Sequence, residues 1–239
     1  VYDSETQGPV TRAVHVSYAL GYIVTHEELS DNQYMEVSAN RARSNARAFR
    51  QTKERVAAAN FNRATNASYT WADGKTMLAT DHPNTSGGTF SNKLSVAADL
   101  SEASLEDLCI QIMQATDDRG MLINLMPQSL HVAPANWFEA TRILNTTLQV
   151  GTANNDINAI KALGIFPKGV KMNHYFTVPK QWFVRTNIER GKGLVFLQRE
   201  EMSFERDNDF GTKNALALGY ERYSCTLVDP RAVYGSEGP

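Results

Sequence analysis

The sequence predicts an α+β fold that is organised around one long strand and one very long helix. Residues 10–24 alternate between apolar and polar side chains, and residues 30–64 contain neither glycine nor proline. The remainder of the chain mixes short helix and strand patterns. Strict alternation is typical of a half-buried strand, whereas a long stretch of good helix formers without breakers is typical of a helix.

The composition is that of an ordinary globular chain. Of the 239 residues, 42% are hydrophobic and 21% are charged, so the chain can bury a substantial core. The net charge of -2 gives no global attraction to nucleic acid or to an anionic membrane, and such an affinity would need a local patch. Because no run of about 18 apolar residues occurs, we predict no transmembrane helix and no membrane partner.

The strand at residues 10–24 is expected to lie at the edge of a sheet. Its even positions are apolar except for Arg12, and His15 and Ser17 lie on the other face. At about 3.3 Å per residue this strand would be about 50 Å long. Such a long edge needs a partner strand, and the predicted partner precedes Val1.

The helix at residues 30–64 would also be about 50 Å long. Ser30 is predicted to be its N-cap, with Gln33 completing a capping box three residues later. Its apolar stripe is expected to consist of Met35, Ala39, Ala42, Ala46, Phe49 and Val56. Because most of these side chains are small, the helix is expected to lie close against a sheet.

The same helix is strongly basic. Across residues 36–63, six arginines and one lysine stand against two glutamates, which is an excess of five positive charges. Arg41 and Arg55 are predicted to face away from the apolar stripe. The candidates for subunit contact flank the stripe, and they are Arg43, Arg47, Arg50 and Glu54.

Two interpretations of this basic surface remain open. It is either a solvated helix face or a contact with acidic surfaces of neighbouring subunits, with packaged nucleic acid, or with both, since guanidinium groups pair bidentately with carboxylates and phosphates. Aromatic residues are few, so any nucleic-acid contact should be nonspecific and sensitive to salt. A second charged segment is acidic, and it consists of Glu200, Glu201, Glu205, Asp207 and Asp209. It is either the partner of the arginines in an ion-pair network between subunits or a solvated turn.

Shorter elements are predicted along the rest of the chain. Ser104 is predicted to begin a second helix, residues 130–133 form a short strand, and Pro134 begins a further helix. Residues 146–158 are expected to form a polar loop. Later strands are predicted at 170–176, 181–186, 193–198, 202–206 and 214–228.

Catalytic and metal-binding motifs are weak. Four residues are of types that bind metals, and they are His26, Glu27, Asp81 and His82. They lack the paired histidines of a metalloprotease helix, and Asp81 and His82 are typical of a turn. No phosphate loop, dinucleotide fingerprint or nucleophile elbow occurs. We therefore predict no enzyme and no catalytic, cofactor or metal site. A hydrolase or metal-dependent enzyme that uses these four residues is the alternative.

The two cysteines are predicted to be buried, reduced thiols. Cys109 falls in a helical pattern and Cys225 in a strand pattern, and neither has a histidine or another cysteine at metal-ligand spacing. A single disulfide between them is the alternative. Reduced thiols suit an assembly site in a reducing cytoplasm.

Several segments, taken in order, resemble the major capsid proteins of tailed bacteriophages, and most closely the Mu-type major head subunits. These segments are AVHVSYALGYIVTHEELSDNQY, LATDHPNTSGGTFSN, DDRGMLINLMPQSLHVAPANWFEATRIL, QWFVRTN and GYERYSCTLVDPRAVYG. Together they span nearly the whole chain. Their order carries the resemblance, because none of them is an active-site signature.

This resemblance implies the Johnson fold of tailed-phage capsid proteins, with an extended loop, a peripheral domain that bears a long spine helix, and a central axial domain. The implied domains are an extended-loop return strand at 1–24, a peripheral domain at 25–120 with its spine helix at about 30–64, an axial domain at 121–225, and a C-terminal return to the peripheral domain at 226–239. The N-terminal arm and the first half of the extended loop of that family are absent from this sequence.

The resemblance also implies a structural role in the virion. Copies of the chain are expected to form hexamers and pentamers that close into an icosahedral head around double-stranded DNA, after assembly in the host bacterial cytoplasm. Portal, scaffolding or cement proteins are the further partners that the resemblance suggests, together with nonspecific contact with the DNA. An encapsulin-like nanocompartment shell of the same fold, which would enclose an enzyme, is the alternative.

Overall fold

The computed structural model describes residues 8–31, 34–149, 156–189 and 191–239. For residues 34 and 35 it describes the backbone only. Its sheets and helices confirm the predicted α+β class. The elements follow in the order β1 (Val16–Val24), α1 (His26–Ser30), α2 (Tyr34–Asn62), β2 (His82–Pro83), β3 (Thr89–Phe90), α3 (Glu102–Met113), β4 (Pro127–Val132), α4 (Trp137–Asn145), α5 (Ala159–Leu163), β5 (Val170–Met172), β6 (Trp182–Thr186), β7 (Leu194–Asn208), β8 (Ala215–Leu227) and β9 (Val233–Ser236).

The chain divides into two compact units. The larger unit contains the described parts of residues 1–12, 58–195 and 227–239, and the smaller unit contains those of 13–57 and 196–226. This division rests on compactness. The peripheral and axial domain boundaries that the family resemblance implies therefore stay a prediction.

The larger unit is built on a four-stranded sheet in the order β5-β4-β6-β9. Strand β5 runs parallel to β4, and the other pairs are antiparallel. Because alternate residues of a strand point to opposite faces, the sheet separates two apolar clusters. Trp182 and Val184 pack with α3 in one cluster, whereas Phe183 packs with Phe61 and Phe176 in the other.

The smaller unit is built on a three-stranded sheet in the order β1-β8-β7. Strands β1 and β8 are antiparallel, with Val16 opposite Tyr223 and Val24 opposite Ala215. The predicted strand at 10–24 is therefore shorter than expected, since β1 covers Val16–Val24. Within the described chain its partner is β8, near the end of the chain, and a partner strand before Val1 stays a prediction for its other edge. Alternation within one segment shows that a strand needs a partner, but it carries no information about which distant strand fits.

The predicted long helix is confirmed as α2, although it begins at Tyr34 and ends at Asn62. Ser30 is not its N-cap, because Ser30 is the last residue of the separate helix α1. Thr25 caps α1 in a capping box with Glu28. The expected partner Gln33 lies outside the described residues.

The helix after residue 100 also begins earlier than predicted. Ser101 is the N-cap of α3, and its hydroxyl accepts a hydrogen bond from the Ser104 backbone N–H at 3.2 Å. Ser104 is thus the third helical residue, where its hydroxyl accepts in turn from the Ser101 N–H at 3.0 Å. Serine suits both positions, and the hydrogen-bond geometry identifies which one is the cap.

Later elements differ from prediction in smaller ways. The strands predicted at 193–198 and 202–206 form the single 15-residue strand β7. Helix α5 was not predicted, and it is capped by the Asn158 side chain. Of the predicted loop at 146–158, residues 150–155 lie outside the described part, and Leu148 forms an isolated bridge with Ile157 on either side of them.

Candidate subunit-contact surface

Helix α2 packs against β8 in the smaller unit where a glycine leaves room for an aromatic ring. Phe49 is buried, with 4% of its surface exposed. A methyl group added to Gly219 would lie 2.7 Å from Cε2 of the Phe49 ring, which is closer than side chains approach. The close approach of helix and sheet that the small helix residues predict is therefore achieved at the Phe49–Gly219 contact.

The buried face of α2 is rotated relative to the predicted stripe. Phe49 is buried and Ala42 and Val56 are half-buried, as expected, but Ala39 and Ala46 are exposed. The side chain of Met35 lies outside the described part of the chain. Burying an alanine removes little apolar surface from water, so alanines define a helix face weakly and larger neighbours decide it.

Arg41 does not face away as predicted. Its guanidinium donates to both carboxylate oxygens of Glu28, at 2.9 and 3.1 Å, and to the backbone carbonyl of Ile23 at 2.5 Å. The pKa of Glu28 is lowered by a hydrogen bond from the Thr25 backbone and by Arg41. Arg41 thus joins α2 to α1 and to the end of β1, and it is not available to a partner.

A second cation of α2 also has a partner in the same unit. The ammonium of Lys53 lies 2.5 Å from Oε2 of Glu221 on β8, and the Glu221 side chain is completely buried. Sequence reasoning missed this pair. A signal exists in hindsight, because Glu221 falls in the alternating positions of β8 that otherwise hold Ala217, Gly219 and Tyr223.

The four candidate contact residues lie together on the exposed face of α2, and they are Arg43, Arg47, Arg50 and Glu54. Arg43 donates to the side-chain oxygen of Asn40 at 3.5 Å, near the limit of a hydrogen bond. Within the part of the chain that the structure describes, none of the three arginines forms an ion pair. Because Arg41 and Lys53 are paired, these three arginines form the unneutralised part of the basic helix.

The acidic run divides between a strand and a turn. Glu200, Glu201, Glu205 and Asp207 are exposed on β7, which is an edge strand of its sheet. Asp209 belongs to the turn after β7, where its carboxylate accepts from the Gly211 N–H at 3.1 Å and the Thr212 hydroxyl at 2.6 Å. These hydrogen bonds lower the pKa of Asp209. The turn interpretation thus fits Asp209, and the strand carboxylates remain candidates for contact.

The four residues that a metal-dependent enzyme would use have other contacts or lie exposed. His82 is buried, with Nδ1 2.5 Å from Oδ2 of Asp73 and Nε2 3.1 Å from Oδ1 of Asn92. Asp81 forms an ion pair with Lys75. His26 and Glu27 begin α1 and are exposed. Across the described ranges, no three His, Cys, Asp or Glu side chains are arranged to hold a metal ion.

Cys109 and Cys225 are not joined by a disulfide bond. Cys109 is buried in α3 as predicted, whereas Cys225 on β8 is only half-buried. No helix in the described residues is both long and apolar enough to be a membrane span.

Comparison with known proteins places this fold among capsid proteins. The family described as phage capsid protein matches residues 9–236. The capsid of Myoviridae phage XM1 is similar with a TM-score of 0.55 and 8% identity, covering 95% of this chain and 74% of that chain. The capsid of cyanophage P-SCSP1u is similar with a TM-score of 0.53 and 10% identity, covering 97% and 76%.

The fold is also shared with an encapsulin. The SrpI encapsulin of Synechococcus elongatus PCC 7942 is similar with a TM-score of 0.50 and 13% identity, covering 95% of this chain and 74% of that chain. A comparison with curated proteins finds no match. The structural likenesses confirm the predicted capsid fold, and the family match extends over nearly all of the sequence. The chain belongs to the phage capsid protein family.

Proposed function

We propose that this chain is the major capsid protein of a tailed phage or prophage, in the lineage of the Mu-type head subunits. Copies of it form hexamers and pentamers that close into an icosahedral head around double-stranded DNA. The head forms in the bacterial cytoplasm and becomes part of the virion. The match of residues 9–236 to the phage capsid protein family carries this proposal.

The smaller unit offers edges that suit repeated contact between subunits. Strands β1 and β7 are the outer strands of their sheet, so each has one backbone edge that no strand of the described chain covers. Open edges are templates for pairing with another chain. In a closed symmetric shell every copy presents the same edges to its neighbours, and many weak contacts then act together.

The exposed row of α2 is the proposed subunit contact, with Arg43, Arg47, Arg50 and Glu54 as its residues. An exposed ion pair stabilises by only about 0–1 kcal/mol. A contact of this kind is therefore weak in one pair of subunits and becomes decisive through repetition over the shell. Nonspecific contact of other basic groups with the packaged DNA, and binding of portal, scaffolding or cement proteins, belong to the same proposal.

Electron microscopy of the purified full-length gene product tests the proposal. We expect closed polyhedral particles, and we expect nuclease-protected DNA inside those recovered from phage-producing cells. A product that stays monomeric across a range of salt, pH and protein concentration would contradict the shell role.

A nanocompartment shell is the second candidate, and the likeness to the SrpI encapsulin favours it. Such a shell would enclose a cargo enzyme rather than DNA. Nucleic-acid analysis and mass spectrometry of purified particles separate the two. Protected double-stranded DNA supports the phage head, whereas a stoichiometric second protein without DNA supports the nanocompartment.

A further inference from the structure

We propose that the exposed arginine row of α2 in one copy binds the acidic face of strand β7 in a second copy. The arginine row consists of Arg43, Arg47 and Arg50, and the acidic face consists of Glu201, Glu205 and Asp207. This inference rests on the proposed shell function, because it names the partner of the subunit-contact surface. The proposed partner of that surface is the β7 strand of an identical chain.

The arginine row is a straight line of charge along the helix. At about 100° per residue, positions 43, 47 and 50 fall within an arc of about 60°. Their axial separations are about 6 Å and about 4.5 Å. All three side chains are exposed, and they form no ion pair with any described residue.

The acidic face of β7 is assigned by its packing on the sheet. The Phe196 ring lies 5.2 Å from the ring of Tyr223, which is buried beneath Lys53 of α2. Even positions of β7 therefore point to the helix side of the sheet, and half-buried Met202 agrees. Odd positions point to the opposite side, so Glu201, Glu205 and Asp207 share one exposed face, and Glu200 lies on the other.

The two rows differ in length. Along a strand, Glu205 and Asp207 are about 7 Å apart, and Glu201 and Glu205 are about 13 Å apart, so the acidic row spans about 20 Å. The arginine row spans about 10 Å, so its outer side chains must each spread by about 5 Å along the strand, which the long flexible arginine stems allow. Three guanidinium groups can thus reach three carboxylates when a helix lies along the strand, with bidentate pairing available to each.

The unpaired state of both rows within one chain favours a second copy as the partner. The described carboxylates Glu201, Glu205 and Asp207 form no ion pair, although both rows belong to the same compact unit. Each copy therefore supplies both halves of a head-to-tail contact, which is the kind that builds rings.

A charge-reversal experiment with rescue tests the pairing. The variants R43E/R47E and E201K/E205K are compared with a quadruple variant that carries all four changes, and particle yield is measured by sedimentation and electron microscopy. We expect each double variant to lose at least tenfold in yield and the quadruple variant to recover most of it. The single variants E205K and E200K are also compared as a matched pair, because E200K makes the same charge change on the other face of β7.

The outcomes separate this inference from the proposed function. If the native chain forms no particles, the shell function fails. If the native chain assembles and the double variants assemble equally well, or the quadruple variant does not recover, the pairing is overturned while the shell function stands. Normal yield of R43E/R47E particles with reduced DNA content would assign the arginines to DNA and would also overturn the pairing.

Neutral variants replace any charge-reversed variant that circular dichroism shows to be unfolded. R43Q/R47Q and E201Q/E205Q remove the same charges with little change in shape. We expect both to lower the yield and to weaken its dependence on salt, because the attraction that salt screens is gone. Yields that keep the native salt dependence in both neutral variants would overturn the pairing.

Discussion

The ammonium of Lys53 lies 2.5 Å from the carboxylate of Glu221, whose side chain has no exposed surface. Neither carboxylate oxygen of Glu221 has a hydrogen bond within the described residues, so the charge of Lys53 is its main compensation. A buried carboxylate without a counter-charge is costly. This single contact therefore connects α2 electrostatically to the middle of β8.

Replacing Lys53 with Met should destabilise the subunit. The variant leaves the Glu221 carboxylate buried without its counter-charge, and we expect the free energy of unfolding to fall by about 3 kcal/mol. Denaturant unfolding of the unassembled subunit, followed by circular dichroism, measures the change. The double variant K53M/E221M should regain most of the loss, because an apolar pair replaces the ionic one. Equal stability of K53M and the native chain would contradict the assigned role.

Replacing Gly219 with Ala should disturb the packing of α2 on its sheet. The new methyl group would lie 2.7 Å and 3.1 Å from two carbons of the Phe49 ring, and we expect a loss of about 1–3 kcal/mol from overpacking. In an F49L background the same substitution should cost less, because the smaller side chain frees the space. G8A is the control, since nothing lies within 4 Å of that position. Additive effects in the double-mutant cycle would show that Gly219 and Phe49 do not compete for space.

Stability should decrease below neutral pH because of His131. Burial, with smaller contributions from Arg185 and Lys171, lowers the pKa of His131 from 6.5 to about 4. Below pH 6.5, His131 takes up a proton in the unfolded chain but not in the folded chain. The free energy of unfolding therefore falls until His131 of the folded chain also takes up a proton near pH 4. At pH 5 the loss attributable to His131 is about 2 kcal/mol.

The variant H131F measures this contribution and keeps an aromatic ring beside Phe61, whose ring centroid lies 6.0 Å from that of His131. Between pH 7 and pH 5 the unfolding free energy of H131F should change less than that of the native chain. Comparison within one pH series removes the contributions of the other histidines. Parallel curves for the two proteins would show that His131 titrates normally in the folded state.

Cys109 should resist thiol reagents in the native subunit. Burial, assisted by the nearby charge of Glu106, raises the pKa of its thiol to about 12, and only 1% of its surface is exposed. The reactive thiolate is therefore scarce near pH 8 as well as inaccessible. In a C225S variant, Ellman's reagent should detect no thiol until denaturant is added. Labelling of native C225S at the rate of the unfolded chain would disprove the burial of Cys109.

Sequence patterns anticipated the elements whose formation depends on local interactions. The run without glycine or proline predicts α2 because each backbone hydrogen bond of a helix closes within four residues. Its start was predicted wrongly, because Ser30 is a good cap residue but ends the separate helix α1, which Thr25 caps. The family resemblance predicted the capsid fold through the order of its segments, and the family match confirms it.

The composition of the contact surface could be predicted only in part. The basic character of α2 and the exposure of Arg43, Arg47 and Arg50 follow from the positions of charged residues along one helix. The same positions do not show which cations remain unpaired, because Arg41 is neutralised by Glu28 and Lys53 is neutralised by Glu221. Glu221 is 168 residues away along the chain, and no local periodicity connects it with Lys53.

The amino-acid sequence alone is enough to predict an α+β capsid fold with a long basic helix, since helix propensity, strand alternation and segment order can all be seen without coordinates. The tertiary structure decided that β1 pairs with β8, which face of α2 is buried and which arginines are left for a partner. The physical reason is that a periodic pattern records only the contrast between water and core along one element. The choice among distant partners depends on many small packing and charge terms that are defined only when the chain has folded.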